Sequence, residues 1–268
     1  MTGERGAEPP LARLNWQQLI DKALTMPGSL GNTYNRFYTY SFLNQLLLLE
    51  QGVLEPVATY DRWKQLGRQV IRGSKAKVII RPIIVKKKDE AGEVEDSYLR
   101  FKPVRSLFGL SETTGPDLPP VEIPAWDLEM AQANLGVKAG HFRSVDGNTQ
   151  GYSYGREYAI NPTAKYPTKT LFHELGHIVL GHTTSEQRPD YVQHRGIKEF
   201  QAEATAHLTT NELGIATEEE AAVSRGYLQH WLRDERPSDL AIRAVFGATD
   251  KILRAGRPVP AGKEAHDV

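Results

Sequence analysis

The sequence of 268 residues contains no cysteine. This absence excludes a disulfide framework and zinc sites built from thiolates, and it fits a reducing compartment. Long apolar runs are also missing: the longest, Leu46 to Leu49, is too short to span a bilayer. The first ten residues lack the apolar stretch of a signal peptide. We therefore expect a cytoplasmic protein that has no membrane partner.

Histidine is also scarce, with eight in the chain, yet two stand four residues apart in H-E-L-G-H, at His173 and His177. On a helix, positions i and i+4 share a face, so both imidazoles can bind one metal ion, and zinc suits such ligands. Glu174 follows the first of them and can act as a general base on a zinc-bound water. The apolar residues between Leu171 and Leu180 predict that this helix is buried.

A catalytic zinc site usually adds a third protein ligand and a water. Glu199 lies 22 residues after His177, and Glu203 is four residues further on the same predicted helical face. We assign Glu199 as the ligand and Glu203 as a hydrogen-bond partner of a ligand imidazole, although the spacing also permits the reverse. The position six residues after His177 is Thr183, which excludes the class of zinc site with a third histidine there.

The motif H-E-L-G-H followed by E-x-x-A-E-A-x-A resembles the gluzincin-type zinc peptidases of the ImmA/IrrE group. It is more similar to the C-terminal domain of ArdC-type antirestriction proteins, as is the stretch from Tyr227 to Trp231. The resemblance implies a zincin-like metallopeptidase domain with zinc as its cofactor and a peptide or protein as its substrate.

A β-hairpin is predicted just before the zinc motif, with arms at Gly151 to Tyr154 and Glu157 to Ile160. An edge strand of this kind can pair with an extended peptide. Either Tyr154 or Tyr158 could then donate a hydrogen bond to a developing oxyanion. Tyrosine is also a common strand residue, so a purely structural role stays open for both.

Acidic residues are absent between Arg62 and Lys88, where ten basic residues occur. Cations neutralise phosphates and aromatic rings stack on unpaired bases, so interleaved cations and rings suit single-stranded nucleic acid. The alternative is a solvated charged face with several of the rings in the core. The candidate contacts are Arg36, Tyr38, Tyr40, Trp63, Lys64, Arg68, Arg72, Lys75 and Lys77.

Four stretches resemble, in the same order, the N-terminal single-stranded-DNA-binding domain of ArdC-like proteins. They are Y-S-F-L-N from Tyr40, Y-D-R-W-K-Q-L-G from Tyr60, V-I-R-G from Val70 and L-F-G-L-S-E-T from Leu107. This resemblance adds Asn44 to the candidate DNA contacts. It implies a protein of a mobile element or phage that shields incoming DNA from restriction.

We therefore predict an α+β protein with two domains. Residues 11–115 form a helical and β-hairpin domain that binds single-stranded DNA, 116–124 a linker, and 125–256 a gluzincin-type zinc metallopeptidase domain. Two alternatives remain: an ImmA-like zinc peptidase that cleaves a specific regulatory protein, and a DNA-binding module whose zinc is structural or vestigial. The presence of Glu174 favours a catalytic site, because a structural zinc site has no use for a base.

Overall fold

The computed structural model divides into two compact units of mixed helix and strand, and the predicted α+β class is confirmed. The structure describes residues 15–25, 40–88, 94–119, 124–144, 148–184, 195–234 and 236–258, without the side chains of 82–88, 94–101 and 231–234. Among these residues, the amino-terminal unit holds 40–119, and the carboxy-terminal unit holds 16–25 and 124–258. No helix in the described ranges is long and apolar enough to cross a membrane.

The amino-terminal unit is built on a three-stranded sheet, in the order β1-β4-β3, and a two-stranded sheet that pairs β2 with β5. Its elements are α2 (Phe42–Glu50), β1 (Val57–Thr59), α3 (Tyr60–Gln65), β2 (Gln69–Val70), β3 (Lys77–Lys88), β4 (Val94–Gly109) and β5 (Thr113–Thr114). Strands β3 and β4 form a long antiparallel hairpin in which Ile79 lies opposite Val104. Its core contains Leu48, Val53, Ile79 and Leu107.

Two carboxamides of the α2 segment act as partners for the outer edge of β3, which pairs with no further strand in the part of the chain that the structure describes. Asn44 accepts from the backbone N–H of Ile80 at 2.8 Å and donates to its carbonyl at 2.9 Å. Gln51, seven residues later, makes the same pair of hydrogen bonds with Val78, both at 2.8 Å. Because an unpaired edge strand is open to association with other chains, these amides protect β3 while fixing α2 against it.

The carboxy-terminal unit contains a helical layer and a small sheet, in the order β6-β8-β7, with β7 antiparallel and β6 parallel to β8. Its elements are α1 (Trp16–Thr25), α4 (Leu128–Leu135), β6 (Lys138–Ala139), β7 (Gly151–Tyr154), β8 (Glu157–Ile160), α5 (Pro167–Val179), α6 (Arg195–Leu213), α7 (Glu218–Asp234) and α8 (Asp239–Ala255). Phe172, Leu175 and Ile178 of α5 lie in its core.

Helix α1 packs with the carboxy-terminal unit, although the sequence-based division placed it in the domain of residues 11–115. The indole of Trp16 contacts Phe246 of α8, and the guanidinium of Arg243 lies 4.6 Å from its ring centroid. The apolar stripe of α1 was visible in the sequence, but its packing partner is more than 200 residues away in the chain. Local patterning therefore could not assign this helix to its unit.

Candidate functional sites

Helices α5 and α6 cross closely enough to bring together side chains from both motifs. A Cβ atom at Gly176 would lie 3.1 Å from the carbonyl oxygen and 3.2 Å from the Cα of Ala202. Such contacts are tighter than a Cβ atom usually makes, so the close crossing favours glycine on α5, and the small Ala202 faces it on α6. As a result, Glu199 lies beside the imidazoles of His173 and His177.

The donor atoms of these three residues lie within 4.8 Å of one another. The Nε2 atoms of His173 and His177 are 3.1 Å apart. Oε2 of Glu199 lies 3.4 Å from Nε2 of His173 and 3.8 Å from Nε2 of His177. Ligands at zinc distances of about 2.0–2.1 Å in a tetrahedron are roughly 3.3 Å apart. The donor set therefore fits a tetrahedral ion that keeps one position for water.

The outer nitrogen of His173 faces Glu203, whose Oε2 lies 3.2 Å from Nδ1. Lys169 approaches the other carboxylate oxygen at 2.8 Å. Burial alone would lower the pKa of His173, but the hydrogen bonds to Glu199 and Glu203 outweigh it and raise that pKa to about 9 in the metal-free protein. Burial opposes the charge of Glu203, yet His173 and Lys169 lower the pKa of its carboxyl.

Glu174 is buried, and Oε2 of its carboxylate accepts a 2.6 Å hydrogen bond from the hydroxyl of Ser153 on β7. Sequence reasoning did not select Ser153. The only available signal was its place in the predicted edge strand before the zinc motif. With Oε2 engaged by Ser153, the carboxylate has a second oxygen with which it can accept a proton.

The site opens into a cleft of about 570 Å³, lined by residues of β7, of α5 and its following turn, and of the first turns of α6. Ser153 and the exposed ring of Tyr154 line this cleft. Tyr158 is buried instead, and its hydroxyl accepts a hydrogen bond from Gln132 of α4. Of the two tyrosines considered for an oxyanion, only Tyr154 lies at the cleft.

Strand β7 is the outermost strand of its sheet beside the site, and its outer edge pairs with no further strand among the described residues. In its register with β8, Tyr152 is opposite Ala159 and Ser153 is opposite Tyr158. The backbone carbonyl of Gln150, just before β7, accepts from the N–H of Asn161, so these two residues form a hydrogen-bonded pair. Hydrogen-bonded and non-hydrogen-bonded pairs alternate along an antiparallel ladder. The backbone N–H and carbonyl groups of Gly151 and Ser153 therefore point away from β8. Further along, Thr183 bonds both the N–H and the carbonyl of Gly155.

Three residues predicted to contact DNA have structural roles, and the prediction is corrected for them. The ring of Trp63 is 1% exposed, and its Nε1 donates to the carbonyl of Phe108 at 2.9 Å, so the ring cannot stack on a base. Asn44 is used at the edge of β3. The buried guanidinium of Arg68 donates to Thr113 and to the carbonyls of Gly115 and Pro116.

Two more candidates are partly engaged within the unit. Lys77 forms a 2.7 Å ion pair with Glu112, and half-buried Tyr40 packs against the core of the sheet. Arg36 and Tyr38 lie outside the described residues. The remaining candidates, Lys64, Arg72 and Lys75, are exposed; sequence reasoning did not select three further exposed cations and one exposed ring, namely Arg62, Lys102, Arg105 and Tyr60.

The chain is similar to known antirestriction proteins. A family model described as the N-terminal domain of anti-restriction factor ArdC matches residues 12–106. A search of curated proteins found no match. The metal-free crystal structure of antirestriction ArdC from plasmid R388 is 19% identical, covers 90% of this chain and 95% of its own, and gives a TM-score of 0.46. Its Mn(II)-bound structure is 18% identical, covers 91% and 96%, and gives 0.48. Residues 12–106 of this chain are therefore similar to the N-terminal domain of ArdC.

Proposed function

We propose that this chain is an antirestriction-type protein of a mobile element. In this proposal its amino-terminal unit binds single-stranded DNA and its carboxy-terminal unit is a metal-dependent hydrolase of the gluzincin type. The observation that carries the hydrolase half is the convergence of the donor atoms of His173, His177 and Glu199 beside a buried carboxylate in an open cleft. The match of residues 12–106 to the ArdC N-terminal domain supports the DNA-binding half.

In this mechanism His173, His177 and Glu199 would hold the ion, and zinc suits two imidazoles and a carboxylate. When bound, zinc would polarise a substrate carbonyl and acidify a water. Glu174, held through one oxygen by Ser153, accepts the proton of the attacking water with the other oxygen and passes it to the leaving amine. Glu203 fixes the orientation of His173 through its Nδ1.

The arrangement favours a catalytic over a structural ion. Structural zinc sites are closed by four protein ligands, whereas three donors converge within the described residues here and the cleft opens beside them. A structural site also gives no reason to bury Glu174 and hold it with Ser153. The hypothesis of a DNA-binding module with structural zinc is therefore weaker than that of a catalytic metal site.

A peptide is the substrate class that the cleft favours. The outward polar groups of Gly151 and Ser153 can pair with an extended backbone, as an added strand requires. Thr183 engages Gly155 next along this edge. The paired stretch of substrate is therefore short, about three residues, and Tyr154 lies where it could donate to a developing oxyanion.

The metal assignment is tested by measuring bound zinc and manganese in purified wild type, Glu199→Ala, Glu203→Ala and Glu174→Gln proteins. We expect Glu199→Ala to lose the metal and Glu174→Gln to keep it. Glu203→Ala should bind it more weakly, by roughly 10–100-fold, because an outer hydrogen bond is lost. If Glu203→Ala loses the metal while Glu199→Ala keeps it, Glu203 is the ligand and Glu199 is its hydrogen-bonding neighbour.

Hydrolysis is tested with a mixture of fluorogenic peptides and the wild-type protein loaded with each metal. Glu174→Gln keeps the shape of the side chain and removes the base, so it should retain metal and cleave nothing. Undiminished cleavage by the folded, metal-loaded Glu174→Gln protein would disprove the proposed role of Glu174. Protection of an incoming unmodified plasmid from restriction, measured as transformation frequency with both proteins, separates antirestriction from hydrolysis.

A further inference from the structure

The outer nitrogens of the two ligand histidines have partners of different chemistry. Nδ1 of His173 faces the carboxylate of Glu203, which can only accept. Nδ1 of His177 lies 3.0 Å from Nδ1 of His182, in the turn after α5. Imidazole nitrogens can donate or accept, so this contact requires that only one of the two Nδ1 atoms carries a proton. Which one carries it decides whether His177 can bind a metal through Nε2.

Gln201 on α6 decides the tautomer of His182. Its amide nitrogen Nε2 donates to the carbonyl oxygen of Ala241 at 3.2 Å, and its side chain also hydrogen-bonds His182. A backbone carbonyl only accepts, so the amide nitrogen must face Ala241; the hydrogen bond with Gln201 raises the pKa of His182, which assigns the amide oxygen, rather than the second N–H of that nitrogen, to His182. An amide oxygen also only accepts, so His182 must donate to it from Nε2.

The position of each imidazole proton can then be assigned in turn, starting from the carbonyl of Ala241 and ending at the metal site. With its proton on Nε2, a neutral His182 has a lone pair on Nδ1, which accepts from Nδ1 of His177. That leaves the lone pair of His177 on Nε2, the atom that lies 3.1 Å from Nε2 of His173. His182 is buried, which disfavours the charged form of its imidazole.

We propose that His182 and Gln201 are positioning residues that hold His177 in the tautomer that binds metal. The inference deepens the proposed function, since it rests on His177 being a ligand. Neither residue binds the ion itself. Because the chain Ala241–Gln201–His182–His177 is fixed by protein groups alone, His177 has its Nδ1 protonated before any metal arrives. The cost of selecting a tautomer is then removed from metal binding.

A matched pair of substitutions tests this in the full-length protein. His182→Leu keeps an apolar side chain of similar bulk but cannot accept. His182→Asn places a carbonyl oxygen near the position of Nδ1 and can accept. We expect zinc affinity, measured in competition with a chromophoric chelator, to fall roughly 10–100-fold in His182→Leu and to stay close to wild type in His182→Asn. Gln201→Leu should also bind zinc more weakly.

A second measurement reads the tautomer without metal. Nitrogen-15 spectra of the metal-free wild type should show the His177 proton on Nδ1, and His182→Leu should redistribute it between the two ring nitrogens. Circular dichroism and the melting temperature establish that each variant is folded. Both readouts respond to hydrogen bonding, whereas a merely space-filling role for His182 would be satisfied by leucine.

The outcomes separate this inference from the proposed metal site. If wild type binds no zinc, the proposed function fails, and the inference fails with it. If wild type binds zinc and folded His182→Leu binds it equally well, the positioning role is overturned while the metal site stands. Equal loss in folded His182→Leu and His182→Asn also overturns it, as does a wild-type His177 proton found on Nε2.

Discussion

The hydroxyl group of Ser153 and the carboxylate of Glu174 are joined by a hydrogen bond of 2.6 Å. It connects the edge strand β7 to helix α5, so the strand proposed to receive the substrate also orients the proposed base. Gly151, two residues earlier on the same strand, approaches Thr170 so closely that a Cβ there would lie 2.7 Å from Cγ2. The strand and the helix are therefore held together at two neighbouring points.

Substitution of Ser153 by alanine should impair the base without affecting the metal. The hydroxyl donates to a buried carboxylate, and removing one partner of such a bond costs about 1–3 kcal/mol of stability. We expect peptide cleavage to fall and zinc affinity to stay unchanged, because the hydroxyl of Ser153 hydrogen-bonds Glu174, which is not one of the proposed metal ligands. Ser153→Thr keeps the hydroxyl on a strand that tolerates threonine, and should retain cleavage. Equal cleavage by wild type and folded Ser153→Ala would contradict this role.

Gly176→Ala should weaken both the fold and the metal site. The new Cβ would meet the backbone of Ala202, which cannot rotate away, so α5 and α6 must separate. Overpacking of this kind costs about 1–3 kcal/mol, and zinc affinity should fall because the ligands come from both helices. The matched control is Gly247→Ala in the middle of α8, where a Cβ has nothing within 4 Å. That change should stabilise the protein by about 0.5–1 kcal/mol.

The stability of the metal-free protein should depend on pH through His173 and Glu203. The pKa of His173 is raised to about 9. Its contribution is therefore complete below the unfolded value of about 6.5 and is lost as pH rises from there through 9. The pKa of the Glu203 carboxyl is lowered, so its contribution is complete above about 4.5 and declines at lower pH.

Chemical unfolding between pH 4 and 10 measures this dependence. Metal-free wild type should be most stable near pH 5–6 and should lose stability toward pH 9. Glu203→Gln removes the main anionic partner of Nδ1 in His173 and should flatten that loss. Zinc-loaded protein should behave differently, because ligation requires His173 to be neutral and zinc binding then strengthens as pH rises. If wild type and Glu203→Gln lose the same stability between pH 6 and pH 9, the loss does not come from the His173–Glu203 pair.

The convergence of the proposed metal ligands could be predicted because these residues obey helical spacing. His173 and His177 share a face by their i, i+4 separation, and Glu199 and Glu203 share another for the same reason. The hydroxyl of Ser153 and the imidazole of His182 could not be found in this way. Each reaches its partner through tertiary packing, and serine on a strand or histidine in a turn has no spacing that marks it.

The aromatic and basic residues of the amino-terminal unit were harder to interpret for a related reason. Composition identifies Trp63 as an aromatic residue and Arg68 as a basic one, but it does not say whether their side chains face the core or the solvent. Trp63 fills the core and Arg68 clamps the loop after β5. Helix α3 has only six residues, Tyr60–Gln65, too few for its apolar face to be recognised by periodicity.

Trp63→Ala should reduce stability rather than remove a base contact. The ring is fully buried and donates to Phe108, and truncation of such a residue costs about 3–5 kcal/mol. The exposed ring of Tyr60, 46% accessible, is the better candidate for stacking. Tyr60→Ala should leave the melting temperature nearly unchanged and weaken single-strand binding by about 1–3 kcal/mol without altering its salt dependence. Tyr60→Phe keeps the ring and should bind as wild type does.

The exposed cations Arg72 and Lys75 should act through phosphates. Replacing either by alanine should weaken binding to all single-stranded sequences alike, and should reduce the slope of log affinity against log salt by about 0.7 for each lost contact. The matched control is Lys138→Ala, an exposed cation in the carboxy-terminal unit, which should leave both affinity and slope unchanged.

Fluorescence anisotropy of labelled single-stranded and duplex oligonucleotides at several salt concentrations measures both quantities in the full-length protein. Since stacking requires exposed base faces, single strands should bind more tightly than duplex, and tighter duplex binding would refute the proposed preference. If the slope is unchanged in both Arg72→Ala and Lys75→Ala, these two residues do not contact phosphates, and Lys102 and Arg105 become the candidates for that role.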